Sequence, residues 1–339
     1  MRPLTLTALT TLSLVAAAPV RAEVPAVMTD ILPVQSLVAM VMGTLAEPEL
    51  LLPPTASPHD FALRPSDARA LSEADVVFWI GSSLTPWLAD PLAALAGDAV
   101  QVSLDRVDGT TLLPRRAEAV FGGHDHGDDH GDDHGDDHGD DHGDDHGDDH
   151  GDEDHDHGDH AAELSADQID AHLWLDPDNA RVWLAEIAAV LGRIDPDNAA
   201  SYAANAAAAD ASILALEAEL TQTLSPVSAN RYVVFHDAYQ YFEAAFGLTV
   251  TGAISQSDAT APSPARLRDL SALIASEGAT CVLAEPQSSE GLVAALTEGG
   301  DLPIGVLDPI GAGQMPGDTA YVGMLRDMAA AVLTCNDGS

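Results

Sequence analysis

Ala74-Asp75-Val76-Val77-Phe78-Trp79-Ile80-Gly81 is an apolar run of strand length closed by a glycine. Its apolar residues are consecutive rather than alternating, which suits a central parallel strand covered on both faces. Upstream, Val24 to Thr29 reads as a strand, and Val34, Leu37, Val38 and Val41 recur at helical spacing up to Gly43. Glu49 to Leu52 is a second strand, followed by a loop holding His59 and a helix announced by Pro65-Ser66-Asp67. Downstream, Pro86 to Leu95 is helical and Ala99 to Leu104 is a strand. Strands alternating with helices predict a parallel α/β sheet with right-handed crossovers.

The same alternation restarts beyond Pro226. Arg231 to Phe235 reads as a strand ending at His236, Tyr239 to Phe246 as a helix, and Leu248 to Ile254 as a strand. Ser263-Pro264 opens a helix to Glu277; Thr280 to Ala284 and Pro303 to Leu307 are strands; Ser289 to Thr297 and Asp318 to Leu333 are helices. Between the two alternating regions, Asp176-Pro177-Asp178 opens one helix to about Leu191, and Asp195-Pro196-Asp197 opens another to about Leu224. At 1.5 Å per residue the second spans roughly 42 Å. Its alanine-rich run, Ala203 to Ala211, has high helicity and little to bury, so it reads as a rigid connector. The fold class expected is α/β: an N-terminal lobe over 23–194, a linker helix over 195–225 and a C-terminal lobe over 226–339. A length of 339 residues suits two such lobes.

All 13 basic residues are Arg, and against 55 Asp and Glu they leave a net charge of −42, which repels nucleic acid and anionic membrane surfaces and attracts cations. The acid is concentrated. His124 to His160 holds 18 Asp/Glu and 11 His with no Arg, repeating Gly-Asp-Asp-His from Gly127 to His150. Without apolar residues it cannot offset the entropy of ordering, which predicts a mobile insertion over 122–161. The N-terminus has a short basic start, an apolar stretch from Leu4 to Ala18, and small residues at Val20 and Ala22 before Glu23. This pattern predicts a secretory signal cleaved after Ala22, with no Cys after it to carry a lipid and no later membrane span. Export to an oxidising compartment favours a disulfide between the only two cysteines, Cys281 and Cys335.

Outside the insertion only His59, His172 and His236 remain. Open α/β sheets bind ligands beyond the carboxyl ends of their strands. His236 and Asp308 each follow a predicted strand, His59 lies in a loop after one, and His172 precedes the helix at Pro177. Three neutral imidazoles with one carboxylate oxygen or a water suit four-coordinate zinc, whereas manganese favours more oxygen ligands. The same set with an open position would also serve a secreted zinc hydrolase. Against catalysis stand the missing HExxH and GxSxG patterns.

Ser57-Pro58-His59-Asp60-Phe61 with Leu63-Arg64-Pro65-Ser66-Asp67, Asp170-Ala171-His172-Leu173-Trp174-Leu175-Asp176-Pro177, and Val234-Phe235-His236-Asp237-Ala238-Tyr239 resemble the metal-specific solute-binding proteins of ABC importers. Cys281-Val282-Leu283-Ala284-Glu285-Pro286-Gln287 and Leu307-Asp308-Pro309-Ile310-Gly311 narrow the resemblance to the zinc-binding ZnuA group. The resemblance covers nearly the whole chain after the signal. It implies a soluble, monomeric periplasmic receptor that binds Zn2+ in the cleft between its lobes and delivers it to an ABC transporter membrane permease. The implied ligands are His59, His172 and His236, with Asp308 or a water as the fourth. Manganese members carry Glu where this chain has His236, and some zinc relatives carry an acid where it has Pro58. The late cysteine pair resembles the disulfide of zinc members. The insertion also occurs in them, and its histidines, His124, His126, His130, His134, His138, His142, His146, His150, His155, His157 and His160, would form a weak accessory zinc collector; the other reading is a solubilising repeat. A free periplasmic zinc buffer is a further alternative to the receptor.

Overall fold

The computed structural model describes residues 24–116, 164–255, 263–286, 291 and 302–337. The signal sequence and all histidines of the insertion lie outside the described residues, as does nearly all of the helix expected over Ser289 to Thr297.

Two four-stranded parallel sheets form the two lobes. The first contains β1 (Val27–Thr29), β2 (Glu49–Leu50), β3 (Val76–Trp79) and β4 (Val100–Ser103) in the order β2-β1-β3-β4. The second contains β5 (Arg231–His236), β6 (Thr249–Ser255), β7 (Cys281–Ala284) and β8 (Ile304–Val306) in the order β6-β5-β7-β8. The two orders are equivalent. In each, the chain leaves the first strand to one side and returns on the other, creating a switch point between β1 and β3 and another between β5 and β7. Val76, Val77 and Phe78 are fully or almost fully buried, as an apolar run covered on both faces requires.

Helices α1 (Leu32–Met42), α2 (Pro65–Glu73) and α3 (Ala89–Leu95) belong to the first lobe. Pro33 starts α1, and Gly43 stops it with a φ of 57°. The positive φ favours glycine there, and a Cβ would also require the end of the Asn205 side chain, 2.7 Å away, to shift. In the second lobe stand α6 (Gln240–Phe246), α7 (Pro264–Glu277) and α8 (Ala320–Asp337).

The long helices are α4 (Pro177–Ile194) and α5 (Ala199–Leu224). With 26 residues, α5 is about 39 Å long. Sequence reasoning gave its alanine-rich run Ala203 to Ala211 little to bury, and within that run only Ala206 and Ala209 are buried; the buried stripe comes from the helix as a whole. Tyr202, Ala206, Ala209, Ile213, Leu216, Leu220 and Leu224 recur every three or four residues and are all buried. That stripe packs mainly on α4 and also on α1 and α8, so small alanines permit close helix approach and the connector is part of the core. One continuous apolar cluster runs from α1 and α4 through α5 to β5 and α8. Polar ties cross between the lobes as well: the Tyr321 hydroxyl donates to the Trp174 carbonyl (2.9 Å), and the Trp174 indole donates to the Pro309 carbonyl (2.6 Å). No described helix is long and apolar enough to cross a membrane.

Candidate metal centre

Each histidine arrives by a different local device. His59 lies in the loop leaving β2, half-buried, with the carbonyl of its neighbour Pro58 accepting from the Trp87 indole at 2.8 Å. Phe61 packs its ring against the same Trp87, with centroids 5.6 Å apart. His172 is buried and begins a turn of 3-10 helix over Leu173–Leu175. The Asp176 side chain then caps α4 by accepting from the Asp178 amide (2.9 Å), with Pro177 in the first turn. His236 is the last residue of β5 and is buried.

The fold brings the three rings together at the boundary of the lobes. Their candidate ligand nitrogens lie within 4.8 Å of one another. The Nε2 atoms of His172 and His236 are 3.2 Å apart. Two tetrahedral ligands at a Zn–N distance of about 2.0 to 2.1 Å would stand roughly 3.3 Å apart, so the spacing suits a zinc ion. Pro58, Trp174, Pro309 and Ile310 wall a cavity of about 20 Å³ at the rings, room for a single small species.

The far nitrogens of two rings are held by carboxylates. His172 Nδ1 lies 2.8 Å from Asp170 Oδ1, which also accepts the His172 amide at 3.1 Å. His236 Nδ1 lies 2.5 Å from Glu285 Oε1, which also accepts the Tyr239 hydroxyl at 2.8 Å. A carboxylate only accepts, so each Nδ1 donates and each Nε2 of a neutral ring presents a lone pair. Burial would raise the Asp170 carboxyl, but the hydrogen bonds it accepts from the His172 ring and amide, with the charge of Arg116 nearby, outweigh it and hold it below the ordinary range. Asp170 therefore stays ionised. With both rings neutral, the two Nε2 lone pairs face each other at 3.2 Å, and a cation between them relieves their repulsion.

Asp308 is placed differently from the histidines. Its Oδ1 accepts the amides of Gly311 (2.9 Å) and Ile310 (3.3 Å), and its Oδ2 accepts the Gly313 amide (3.1 Å). It is not among the described residues clustered at the centre, and its carboxylate shapes the turn that presents Pro309 and Ile310 to the cavity. Sequence reasoning assigned no part to Asp170 or Glu285. The Asp-x-His spacing could have pointed to the first; the second becomes visible only when β5 and β7 are known to be neighbours.

A family model described as "Zinc-uptake complex component A periplasmic" matches residues 27–335. The chain belongs to the ZnuA family. Among its relatives, the high-affinity zinc uptake system protein ZnuA of Paracoccus denitrificans is 47% identical over 321 residues, 94% of each chain. The protein of that name from Brucella abortus (strain 2308) is 41% identical over 309 residues, 91% of each chain. A crystal structure of ZnuA superposes with a TM-score of 0.67 at 23% identity, over 91% of this chain and 99% of the other. The solute-binding protein FpvC of Pseudomonas aeruginosa, solved with Mn2+, gives a TM-score of 0.71 at 19% identity, over 94% of this chain and all of the other. At such identities the superpositions establish the two-lobed fold common to ZnuA and its structural neighbours. The disulfide between Cys281 and Cys335 joins β7 to α8, with Cα atoms 5.9 Å apart.

Proposed function

We propose that this chain captures Zn2+ in the periplasm at His59, His172 and His236 and delivers it to the membrane permease of an ABC importer. The observation that carries the reading is the pair of Nε2 lone pairs held face to face by Asp170 and Glu285, with His59 beside them. A cation between two nitrogens so oriented is the occupant this arrangement favours. A third imidazole and one water complete a tetrahedral site; three nitrogens favour zinc over manganese. Membership of the ZnuA family supports the same cargo.

Residues 1–22 act as the export signal in this reading, and the receptor works as a monomer whose function is affinity and release rather than covalent chemistry. The histidines of 124–160 serve as a weak accessory collector, their imidazoles and the carboxylates between them raising the local concentration of the cation.

The test is a chelator-competition zinc titration of the chain from residue 23, of a variant lacking 124–160, and of His59→Ala, His172→Ala and His236→Ala made in that deletion. One tight zinc that survives the deletion and is lost or strongly weakened with each histidine is the expected result. Loss of tight zinc with the insertion, while the three histidines prove dispensable, overturns the assignment.

A further inference from the structure

Beside the metal centre, a short antiparallel neck joins residues 113–116 to 168–170. Pro114 bridges to Ile169, the Arg115 amide donates to the Gln168 carbonyl (2.8 Å), and the Asp170 amide donates to the Leu113 carbonyl (2.9 Å). The neck's second strand runs directly into Asp170 and His172. Its first strand ends at Arg116, whose guanidinium reaches across to the other lobe.

There it forks between two carboxylates. Nη2 donates to Asp237 Oδ1 (2.6 Å) and to Glu243 Oε1 (2.7 Å), Nη1 to Glu243 Oε2 (3.1 Å), and Nε to Asp237 Oδ1 (3.1 Å). All three side chains are largely withdrawn from water, with 18%, 8% and 13% of their surface exposed, so salt screens these pairs less than surface pairs. Bidentate charged hydrogen bonds of this kind are strong and directional. Asp237 is the residue after His236, and Glu243 lies on α6.

Helix α6 grips the same neck twice more. The Tyr241 hydroxyl accepts the Leu113 amide (2.8 Å) and donates to the Asp170 carbonyl (3.2 Å). The Gln240 side-chain Nε2 donates to the Pro114 carbonyl (3.0 Å) and to Asp170 Oδ2 (3.3 Å). The carboxylate that orients His172 is therefore anchored on the lobe that carries His236.

We infer that Arg116 is a positioning residue for metal capture: its ion pairs with Asp237 and Glu243 lock the neck onto the C-terminal lobe and hold His172 and His236 at one separation across the lobe boundary. The inference rests on the zinc-capture reading. Without the guanidinium, two like charges face the neck where a cation had joined them, and the register between the two histidines loosens. Metal then leaves faster because its ligands from the two lobes separate more easily.

The test compares Arg116→Gln, Arg116→Lys and Glu243→Gln with the parent, each as the full chain from residue 23. Zinc affinity and off-rate are read by chelator competition, the site's geometry by the Co2+ absorption spectrum at one equivalent, and the fold by apo-protein melting and circular dichroism. Arg116→Gln is expected to raise both Kd and off-rate about tenfold and to change the cobalt spectrum. Arg116→Lys should recover only part, since an ammonium keeps the charge without the fork. Glu243→Gln, which leaves the Asp237 half of the fork in place, should shift affinity the same way by a smaller factor. If Arg116→Gln lowers apo stability yet leaves Kd, off-rate and cobalt spectrum as in the parent, Arg116 is a fold contact only and the inference is overturned. Should Arg116→Gln fail to fold, Glu243→Gln decides by the same criterion. The zinc-capture reading fails separately, by the parent itself holding no zinc against the chelator.

Discussion

His172 and His236, from different lobes, turn their Nε2 atoms towards each other across 3.2 Å. Each ring is oriented from behind by a buried carboxylate, Asp170 for His172 and Glu285 for His236. Changing Asp170→Asn or Glu285→Gln keeps the side-chain size but offers the ring a donor as well as an acceptor, so the tautomer is no longer fixed. Zinc affinity should fall between about tenfold and a hundredfold in either variant with all three histidines intact. Chelator competition measures this, with circular dichroism to check the fold. Parent-like affinity in both would mean that packing alone orients the rings.

The partners of these two histidines mark the limit of what the sequence discloses. The apolar run at Val76, the proline-started helices at Pro65, Pro177 and Pro264, and the glycine stop at Gly43 are local signals, and the two-lobed α/β architecture follows from them. His236 was legible for the same reason, as the polar residue ending an apolar strand. Glu285 was not, because its place depends on register. Val234 pairs with Leu283, so two residues further on His236 meets Glu285, 49 positions away in the chain. Asp308 is a second such case: that its carboxylate accepts the amides of Gly311 and Gly313 depends on the turn after β8, which the sequence alone does not show. In α5 the buried stripe is spread thinly, with Ala206 and Ala209 between Tyr202 and Ile213, so the alanine-rich run by itself does not disclose it.

His59 is the half-buried member of the cluster and the one carried on a loop. The Trp87 indole holds that loop through the Pro58 carbonyl at 2.8 Å. Trp87→Phe removes the donor while keeping an aromatic ring against Phe61. One lost hydrogen bond of about 1 kcal/mol should raise the zinc off-rate several-fold with little change in melting temperature. Stopped-flow mixing with a chelator reads the rate; an off-rate equal to the parent's would show that the loop is positioned without this bond.

The disulfide closes a sequence separation of 54 between β7 and α8. In the chain-entropy description a loop of that size stabilises by about 4 kcal/mol. The double variant Cys281→Ala, Cys335→Ala should therefore unfold at markedly lower denaturant concentration, while its zinc affinity under native conditions stays near the parent's, because neither cysteine touches a histidine. Equilibrium denaturation of the zinc-free protein is the check. An unchanged midpoint would remove the disulfide from the account of stability.

Asp30 is the residue just beyond Thr29 of β1, at the switch point of the first sheet. It is fully buried, with Oδ1 accepting the Ile31 amide (2.8 Å) and Oδ2 the Ile80 amide (2.8 Å). Burial raises its pKa from 3.8 to about 7; the amides of Ile80 and Ile31 offset part of that, and the charge of Asp105 adds to it. The folded chain then keeps this proton up to about pH 7, whereas the unfolded chain loses it near pH 3.8. Between those values the folded state binds more protons, so stability falls as pH rises, by roughly 1.4 kcal/mol for each pH unit in the window, and the fall stops above it. Asp30→Asn cannot ionise, and it also loses one acceptor, so its absolute stability is lower and only the slope is informative. The stability difference, parent minus variant, measured in chelator from pH 4.5 to 8, should shrink up to about pH 7 and then level off. A difference independent of pH would place Asp30 in the same protonation state in the folded and unfolded chains, and would leave its amide partners, rather than its charge, as its contribution to the switch point.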